Sequence, residues 1–442
     1  MNTKLATTLI LCYVFYICKS NSIDPCASQQ DDSDFKVFPM YGKCSPISPS
    51  KTNSWDDRVI NMASQDLDRI NYLSTLVAKN PASSASAPIA SGKTFNTNNY
   101  VVRVKIGTPG QLLFMVLDTS SDESFVPSLG CISCSAPKFS PKSSTSYVPL
   151  KCSAPQCGQA RGRSCSPTGS NVCSFNQSYA DSSFSATLSQ DSLALDGVTN
   201  VIIPKFSFGS INVISGASIP AQGLLGLGRG SLSLLSQSVS TYSGVFSYCL
   251  PSFKSHYFSG SLKLGPADQP KTIRTTPLLR NPSRSSLYYV NLTGISVGSV
   301  NVPIPNNLLA FNPKTGAGSI IDSGTVITSF VEPVYNAIRD EFRKQVKGPF
   351  SSLGAFDTCF KDTNETTTPA ITLHFQDLDL KLPIENGLIH STSEPLICLA
   401  MAAAPKNVNS VLNVIANYQQ QNLRILFDTV NNKVGIAREL CN

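Results

Sequence analysis

Two short segments of the sequence place an aspartate in a setting that suits catalysis. Residues 114–126 read FMVLDTSSDESFV, and residues 319–331 read SIIDSGTVITSFV. In both, apolar residues lead into an Asp that is followed by hydroxyl-bearing and small residues. A carboxylate at the end of a buried strand is costly unless neighbours compensate it, and hydroxyl groups can donate hydrogen bonds to it. Asp118 and Asp322 are therefore candidate catalytic residues, although a single Asp of this kind is more often a turn residue satisfied by the backbone.

Two such acids at one site would support direct hydrolysis by water. Carboxylates about 3 Å apart cannot both ionise readily, so they share a proton. The charged member can then activate a water while the protonated member polarises a substrate carbonyl. We expect Thr119 and Ser323 to hydrogen-bond between the two turns. We expect the hydroxyls of Ser121 and Thr325 to hydrogen-bond to the outer carboxylate oxygens, those directed away from the partner acid.

A second repeated segment follows each acid about a hundred residues later. The segment QGLLGLG at 222–228 reaches Leu225 107 residues after Asp118, and VIAN at 414–417 reaches Ile415 93 residues after Asp322. The pattern predicts two equivalent lobes related by a pseudo-twofold axis. The glycines of residues 223–230 do not form a GxGxxG motif, which favours close backbone packing over phosphate binding.

Composition favours a β protein with two domains. The chain has 442 residues, only 14% of them charged, and is rich in turn-forming residues, which suits many short strands. Residues 99–118 read as two β runs joined by a hairpin at Gly107–Gly110. Glu332–Lys347 is the one segment with convincing amphipathic helical spacing, and we interpret it as a surface helix on a sheet.

The N-terminal segment differs from the rest. Residues 1–22 have the charge and apolar pattern of a secretory signal peptide, and no later apolar run reaches membrane length. Residues 23–92 contain a predicted helix at Trp55–Val77 and end in PASSASAPIASG, which is typical of a cleavable linker. We interpret residues 23–92 as a removable prosegment, with a simple N-terminal extension as the alternative. The mature protein should be soluble and lie outside the reducing cytosol.

Cysteine usage also indicates an oxidising compartment. Ten of the 14 cysteines lie between residues 131 and 441, an even number that five disulfides would use. Six of them are clustered, namely Cys131, Cys134, Cys152, Cys157, Cys165 and Cys173. The CxxC at residues 131–134 could bind zinc or act in redox chemistry, but in a secreted chain with three histidines we favour disulfides and predict no metal. Glycosylation sequons occur at Asn176, Asn291 and Asn364.

Charge gives no sign of a nucleic-acid partner. The formal net charge is +7, and the basic residues are scattered without interleaved aromatic residues. A solvated surface explains this distribution better than a nucleic-acid site. We predict no cofactor and no membrane association.

The paired motifs resemble those of the pepsin-type aspartic proteases, and within them the atypical plant branch that is nepenthesin-like and apoplastic or chloroplast-nucleoid-like. The likeness spans residues 100–442. It implies an all-β, bilobal fold with a central cleft, an N-terminal lobe at 93–280 that contains the cysteine-rich insert and the flap, and a C-terminal lobe at 281–442. It further implies that Asp118 and Asp322 are catalytic and that Tyr179 is the flap tyrosine.

The resemblance also suggests two disulfides, Cys359–Cys398 and Cys249–Cys441. The six insert cysteines allow fifteen connectivities, and these stay open. Three residues depart from the family pattern. Ser120 and Ala416 stand where most members have Gly, and Ala180 follows the flap tyrosine where Gly is common. We expect these departures to tune the rate rather than abolish activity.

Together these features predict a secreted aspartic endopeptidase, made as a zymogen and active at acidic pH on protein or peptide substrates. We expect a monomer in an apoplast-like extracellular space, with vacuole or plastid as alternatives. Acid should weaken contacts between prosegment carboxylates and basic groups of the mature domain. The main alternative is a catalytically weak or inactive secreted binding or inhibitor protein on the same fold. A Ser-His-Asp hydrolase built on His256, His374 or His390 and a Cys nucleophile have less support.

Overall fold

The computed structural model describes residues 35–39, 55–77, 100–134, 138–165, 171–179, 182–195, 202–216, 219–220, 222–253, 260–267, 269–282, 284–361, 368–391, 395–405 and 410–441. The predicted signal peptide and the Ala/Ser/Pro linker lie outside these residues, as do Ala180, His256 and Asn364.

The regular secondary structure of the described chain is mostly β-strand, which confirms the predicted fold class. The strands before residue 280 are β1 (Phe35–Pro39), β2 (Tyr100–Ile106), β3 (Gln111–Asp118), β4 (Phe125–Ile132), β5 (Val148–Pro149), β6 (Arg163–Ser164), β7 (Ser174–Tyr179), β8 (Ser182–Leu195), β9 (Ile202–Ser215), β10 (Leu224–Gly226), β11 (Val245–Cys249), β12 (Gly260–Leu264) and β13 (Arg274–Leu279). The later strands are β14 (Tyr289–Val290), β15 (Leu292–Val297), β16 (Val300–Asn301), β17 (Gly318–Ile321), β18 (Thr328–Phe330), β19 (Ser351–Leu353), β20 (Phe356–Lys361), β21 (Ile371–Phe375), β22 (Leu378–Lys381), β23 (Leu388–His390), β24 (Leu396–Leu399), β25 (Met401–Ala403), β26 (Leu412–Ile415), β27 (Leu423–Asp428) and β28 (Lys433–Arg438).

Helices are few and mostly short. They are α1 (Trp55–Val77), α2 (Pro155–Gln159), α3 (Leu234–Gln237), α4 (Val239–Tyr242), α5 (Glu332–Gln345) and α6 (Ile384–Gly387), with 3-10 turns at Pro141–Ser143, Asn306–Leu308 and Asn417–Gln420. The predicted amphipathic helix is α5, which ends two residues early because Val346 takes an extended conformation. In the described part of the chain, no helix is both long and apolar enough to cross a bilayer.

The two sequence repeats form the same strand arrangement. In the first lobe β3 pairs with the parallel strand β10, which places Leu117 opposite Leu225. In the second lobe β17 pairs with the parallel strand β26, which places Ile321 opposite Ile415. The strand after each acid then pairs antiparallel with the same partner, β4 with β10 and β18 with β26. The distant apolar segment in each repeat is therefore the strand that flanks its acid.

A continuous antiparallel series joins the lobes. It runs in the order β2, β1, β12, β11, β27, β28 and β13. β1 comes from the segment interpreted as the prosegment, and it fills the place between β2 and β12. The largest cluster of buried apolar residues extends through both lobes and includes Val37 of β1 and Val59 of α1. The N-terminal segment is thus built into the body of the molecule.

Five disulfides occur in the described residues. Cys249 is bonded to Cys441 and Cys359 to Cys398, the same pairs that the resemblance suggested. In the cysteine-rich insert the bonds are Cys131–Cys134, Cys152–Cys165 and Cys157–Cys173. Three insert sulfurs, those of residues 152, 157 and 165, lie within 4.8 Å of one another. Each belongs to a disulfide and so offers no thiolate to a metal.

Candidate active site

Both candidate acids lie where a strand ends. Asp118 is the last residue of β3, and Asp322 directly follows β17. The parallel flanking strands β10 and β26 carry the two acids to corresponding positions in their lobes. Neither side chain is exposed to solvent. The sequence repeat therefore produces two equivalent buried carboxylates.

The turns that follow the acids are hydrogen-bonded to each other across the lobes. The Ser323 amide donates to Thr119 Oγ1 at 2.9 Å, and the Thr119 amide donates to Ser323 Oγ at 3.2 Å. Ser323 Oγ donates to the Leu117 carbonyl oxygen at 2.9 Å. Thr119 Oγ1 lies 3.2 Å from Asp322 Oδ1, to which it donates. These four bonds link the acid-bearing turns directly.

Further hydroxyls hold the outer carboxylate oxygens. Ser121 Oγ donates to Asp118 Oδ2 at 3.0 Å, and Thr325 Oγ1 donates to Asp322 Oδ2 at 2.6 Å. Each hydroxyl is three residues after its acid, so one turn supplies both the carboxylate and its donor. The contacts are those that the residue pattern led us to expect.

Ser120 makes the two halves of the site unequal. Its amide donates to Asp118 Oδ1 at 2.8 Å, as the Gly324 amide does to Asp322 Oδ1 at 3.1 Å. The Ser120 hydroxyl adds a bond to Asp118 Oδ1 at 2.9 Å. A Cβ at Gly324 would lie only 2.2 Å from Arg69 Nη2. The departure from the family pattern therefore falls on the side of the site that has room for a side chain.

Arg69 of α1 occupies the space between the two carboxylates, and the sequence analysis did not identify it. Its Nη2 atom lies 2.8 Å from Asp118 Oδ1 and 3.3 Å from Asp322 Oδ2. The same nitrogen donates to Ser120 Oγ at 2.5 Å, and the Arg69 side chain is 5% exposed. Because one nitrogen contacts both acids, the two carboxylates face a common point.

The electrostatics of this contact favour the charged forms. Burial raises the pKa of Asp118, but the Arg69 guanidinium and the hydrogen bonds from Ser120 outweigh burial and leave that pKa below its ordinary value. Burial likewise opposes the charge on Arg69, yet attraction to Asp118 leaves the pKa of Arg69 well above its ordinary value. Removing one partner of a buried ion pair leaves an uncompensated charge, which typically costs about 3–5 kcal/mol.

Asp66 is a second charged residue that α1 directs into the cleft. Both of its carboxylate oxygens lie 3.0 Å from the Val326 amide nitrogen, and Oδ2 accepts a bond from the Ile327 amide at 2.5 Å. Burial raises the pKa of Asp66 to about 7, against the lowering effect of these amides and of Arg69. The docked helix is thus held by Asp66 at two backbone amides of the second lobe and by Arg69 at the pair of acids.

The two α1 residues that reach the acids and the turn after Asp322 do not follow the expected pairing of prosegment acids with basic groups of the mature domain. Asp66 of α1 binds backbone amides, and Arg69 of α1 binds the acids of the two lobes. The physical reason is that the cleft contributes two buried carboxylates, which need a cation.

Tyr179 lies at the end of β7, where the β7–β8 hairpin covers the site. Its ring centroid is 5.1 Å from Arg69 Cζ and 6.3 Å from the ring of Tyr72 on α1. Its hydroxyl is buried and has no hydrogen-bond partner among the described residues. Burial raises the pKa of Tyr179 well above its ordinary value. The predicted flap tyrosine therefore packs on the helix that fills the cleft.

Other sequence-identified residues lie away from these contacts. Asn176 is exposed on β7, and Asn291 is half-buried with its side-chain amide donating to Gln376 Oε1 at 3.1 Å. Ala416 is fully buried, and its amide donates to Thr328 Oγ1 at 3.0 Å.

Two polar residues near the second acid were also missed. Asn417 Nδ2 donates to the Ser323 carbonyl oxygen at 2.9 Å, and Gln420 Nε2 donates to the Asp322 carbonyl oxygen at 3.3 Å. Both belong to the 3-10 turn that follows β26. The sequence offered one signal, because both residues lie within the four positions that follow Ala416.

A Ser-His-Asp series does occur in the second lobe, far along the chain from the paired acids. His374 Nε2 lies 2.6 Å from Ser296 Oγ, and His374 Nδ1 lies 2.7 Å from Asp379 Oδ1. Ser296 Oγ also donates to Asn301 Oδ1 at 2.5 Å. The serine hydroxyl is therefore shared between His374 and Asn301. These side chains connect the four strands β15, β16, β21 and β22 of one sheet.

Comparisons with known proteins agree with this geometry. The family model described as "Xylanase inhibitor N-terminal" matches residues 100–266, and the one described as "Xylanase inhibitor C-terminal" matches residues 287–438. Aspartyl protease AED3 of Arabidopsis thaliana is 58% identical over 451 residues, which cover 98% of this chain and 97% of the relative. Aspartic proteinase nepenthesin-1 of Nepenthes gracilis is 35% identical, covering 77% of this chain and 78% of the relative.

A solved structure matches the two-lobed fold. The crystal structure of edgp aligns with a TM-score of 0.65 at 21% identity, covering 78% of this chain and 92% of that chain. At this identity the likeness shows the pepsin-like fold, and the sequence relatives supply the family. The chain belongs to the atypical plant aspartyl proteases related to the nepenthesins, and it is an aspartic-type endopeptidase.

Proposed function

We propose that this protein is a secreted aspartic endopeptidase, made as a zymogen, in which Asp118 and Asp322 hydrolyse peptide bonds at acidic pH. The single contact that carries the proposal is Arg69 Nη2, which lies within 3.3 Å of both carboxylates. A water in the place of that nitrogen would contact both acids. The charged acid would take its proton, and the protonated acid would polarise the substrate carbonyl.

The remaining residues of the site support this chemistry. Thr119 and Ser323 fix the two turns against each other. Ser121 holds Asp118 Oδ2, so that Asp118 Oδ1 faces the water, and Thr325 holds Asp322 Oδ2, the oxygen of Asp322 that lies nearer to the water position. Tyr179 would close over a bound peptide when α1 is gone. No further group is needed, because water attacks directly and no covalent intermediate forms.

The zymogen part of the proposal depends on α1. While Arg69 occupies the point between the two acids, neither can act as base or hydrogen-bond donor to a substrate. Cleavage between residues 80 and 98 would separate α1 from the two lobes, because α1 and β1 both precede that stretch. The five disulfides, the sequons and the predicted signal peptide support passage through the secretory pathway.

An acidic optimum follows from the chemistry of the pair. Once Arg69 leaves, two carboxylates face one point, and the working form carries a single proton. That form prevails below neutral pH. Acid also favours release of Arg69, because the pKa of Asp118 is lowered while the helix is docked.

The alternative is a catalytically weak or inactive binding or inhibitor protein on the same fold. The descriptions of the two matched family models, which name xylanase inhibitors, favour considering it. Both acids and their hydroxyl donors are present here, so loss of catalysis has no evident cause at the site.

A digestion assay tests the proposal. Denatured protein substrate is incubated from pH 2.5 to 7.5 with the processed wild type, Asp118→Asn and Asp322→Asn, each with and without a statine-type inhibitor. We expect acid-dependent cleavage by the wild type alone, blocked by the inhibitor, and a loss of at least about 100-fold in each variant. Activity that survives in both variants would exclude the pair of acids. A wild type without activity that inhibits a xylanase would favour the alternative.

A further inference from the structure

The helix α1 contacts the cleft through three residues spaced three apart, Asp66, Arg69 and Tyr72. Tyr72 marks the end of the cleft near the cysteine-rich insert. Its ring lies 6.3 Å from that of Tyr179, and its hydroxyl accepts a hydrogen bond from Arg161 Nη2 at 3.0 Å. If the prosegment is removed as proposed above, the groups that now hold Tyr72 become available to a substrate.

The backbone of Arg161 is anchored to the first lobe, and its side chain is exposed. It follows α2 within the insert, and its backbone amide donates at 3.0 Å to Oε1 of Glu123, a residue that is 8% exposed. The disulfides Cys152–Cys165 and Cys157–Cys173 enclose this stretch. The insert is therefore fastened to the turn that follows Asp118, and it brings a guanidinium to the cleft.

A second guanidinium approaches from the other lobe. Arg284 is half-buried, and its backbone amide is bonded to the Asn281 side-chain oxygen at 3.2 Å. Burial and then the nearby positive charge of Arg161 lower the pKa of Arg284, and Tyr72 also interacts with it electrostatically. Arg284 thus interacts electrostatically with both partners of the Arg161–Tyr72 hydrogen bond.

The acids nearest to this pair are already engaged. Asp122 accepts bonds from the Gly230 amide and from Ser286 Oγ, and Glu123 accepts from the Arg161 amide. Within the described part of the chain, neither guanidinium has a carboxylate within 4 Å. Two neighbouring cations without a counter-ion repel each other, and Tyr72 offers them only a neutral hydroxyl.

We propose that Arg161 and Arg284 form a substrate subsite that takes an acidic side chain of the peptide. A carboxylate could accept charge-assisted hydrogen bonds from both guanidiniums and relieve their repulsion. Tyr72 is one helical turn from Arg69, so the subsite lies a few ångström along the cleft from the acids. The cysteine-rich insert then contributes to specificity and is more than a disulfide-bonded appendage.

The test uses the processed enzyme and matched peptide pairs. Each pair carries a single Asp or Asn at one position, scanned over four residues on either side of the scissile bond, and kcat/KM is measured at pH 5. At one position we expect a preference for Asp of about tenfold. In Arg161→Ala/Arg284→Ala the ratio of kcat/KM for the Asp peptide to that for the Asn peptide should fall to near one. Arg163→Ala, an exposed arginine of the same insert, is the control and should keep the preference.

Acid titration provides a second readout. The preference should vanish near pH 3, because a peptide Asp with an ordinary pKa of about 3.9 is then protonated. Equal cleavage of Asp and Asn peptides at every position, or a preference that survives the double substitution, would overturn the subsite. If the wild type cleaves no peptide at all, the peptidase proposal fails separately. Binding of the same pairs to the processed protein, measured by calorimetry, would still decide whether the arginines select an acid.

Discussion

Arg69 and Asp118 lie 49 residues apart in the chain, and Arg69 Nη2 is 2.8 Å from Asp118 Oδ1 in a contact that excludes solvent. Asp322 meets the same nitrogen from the other lobe. One side chain of the N-terminal segment therefore occupies the point toward which both acids are directed.

Substitution of Arg69 should give the full-length chain peptidase activity before it is processed. In Arg69→Ala the helix keeps its apolar contacts but loses the cation that compensates two buried carboxylates, so docking should weaken by about 3–5 kcal/mol. We expect peptide cleavage by the unprocessed chain at pH 5, where the wild type is nearly silent. Asn71→Ala changes an exposed residue on the same helix, and this variant should cleave as little peptide as the wild type. Equal activity of the two variants would contradict the proposal that Arg69 blocks the two acids.

Asp66 should make docking of α1 weaker as the pH rises. Its docked pKa of about 7 exceeds its ordinary value of 3.8, so its contribution is complete below pH 3.8 and is lost as the pH rises through 7. Asp118 acts in the opposite direction. Its docked pKa is lowered, so its contribution is present at higher pH and is lost as the pH falls. The Asp66 contribution is lost toward pH 7, and the Asp118 contribution is lost as the pH falls below the ordinary value of 3.8. Docking of α1 should therefore be tightest between pH 3.8 and pH 7.

The Asp66→Asn variant separates the two effects. We would follow binding of a fluorescent statine-type inhibitor to the full-length chain between pH 5.5 and 8.5. Relative to Asp66→Asn, whose amide keeps an acceptor but does not titrate, the wild type should bind more inhibitor as the pH rises toward 7. Asp68→Asn, an exposed change two residues away, should behave like the wild type. A wild-type profile that parallels that of Asp66→Asn would refute the role of Asp66.

Ser120 should set the acidic limb of the rate profile. Its hydroxyl donates to Asp118 Oδ1 and is one of the groups that lower the pKa of Asp118. Ser120→Gly removes this hydroxyl and keeps the backbone amide, so the pKa of Asp118 should rise. In the processed enzyme we expect the acidic limb of kcat/KM against pH to move to higher pH by a few tenths to one pH unit. An unchanged profile would show that the hydroxyl does not tune the site.

Ser323 should contribute to the joining of the lobes. Ser323→Ala removes two bonds, to the Leu117 carbonyl oxygen and from the Thr119 amide, and leaves both groups buried without a partner. Each such group costs about 1–3 kcal/mol, so the thermal midpoint should fall clearly. Ser329 is buried too, but its hydroxyl has no partner among the described residues. Ser329→Ala should leave the midpoint nearly unchanged, and a similar fall in both would contradict this assignment.

The sequence predicted the two-lobed core because its signals are local and repeated. An Asp at the end of an apolar run, twice, with a second apolar segment about a hundred residues on, corresponds to β3 with β10 and β17 with β26. The helix at residues 55–77 was predicted with its observed bounds, because its apolar spacing continues without Gly or Pro.

The partner of that helix could not be predicted from the same pattern. Periodicity identifies a buried face but does not say which surface covers it. A signal was present, since Asp66 and Arg69 lie on the same face as the buried residues Met62 and Leu73. Charged residues at such positions require partners, but only the fold brings Asp118 and Asp322 within reach of Arg69.

The insert disulfides illustrate the same limit. Six cysteines allow fifteen pairings, and spacing alone favours none of them. The observed pairs depend on how α2 and the strand β7 approach each other, because Cys157 of α2 is bonded to Cys173 just before β7. This packing also fixes Arg161, which no local pattern distinguishes from the other scattered basic residues.

The most direct measurement is calorimetric binding of a statine-type inhibitor to the unprocessed full-length chain at pH 6. The wild type should bind on the order of 100-fold more weakly than Arg69→Ala, because the inhibitor must first displace the guanidinium from both acids. Adding Asp118→Asn or Asp322→Asn to Arg69→Ala should abolish the gain. Equal affinity of the wild type and Arg69→Ala, or tight binding that survives both acid substitutions, would contradict a catalytic pair of aspartates closed by Arg69.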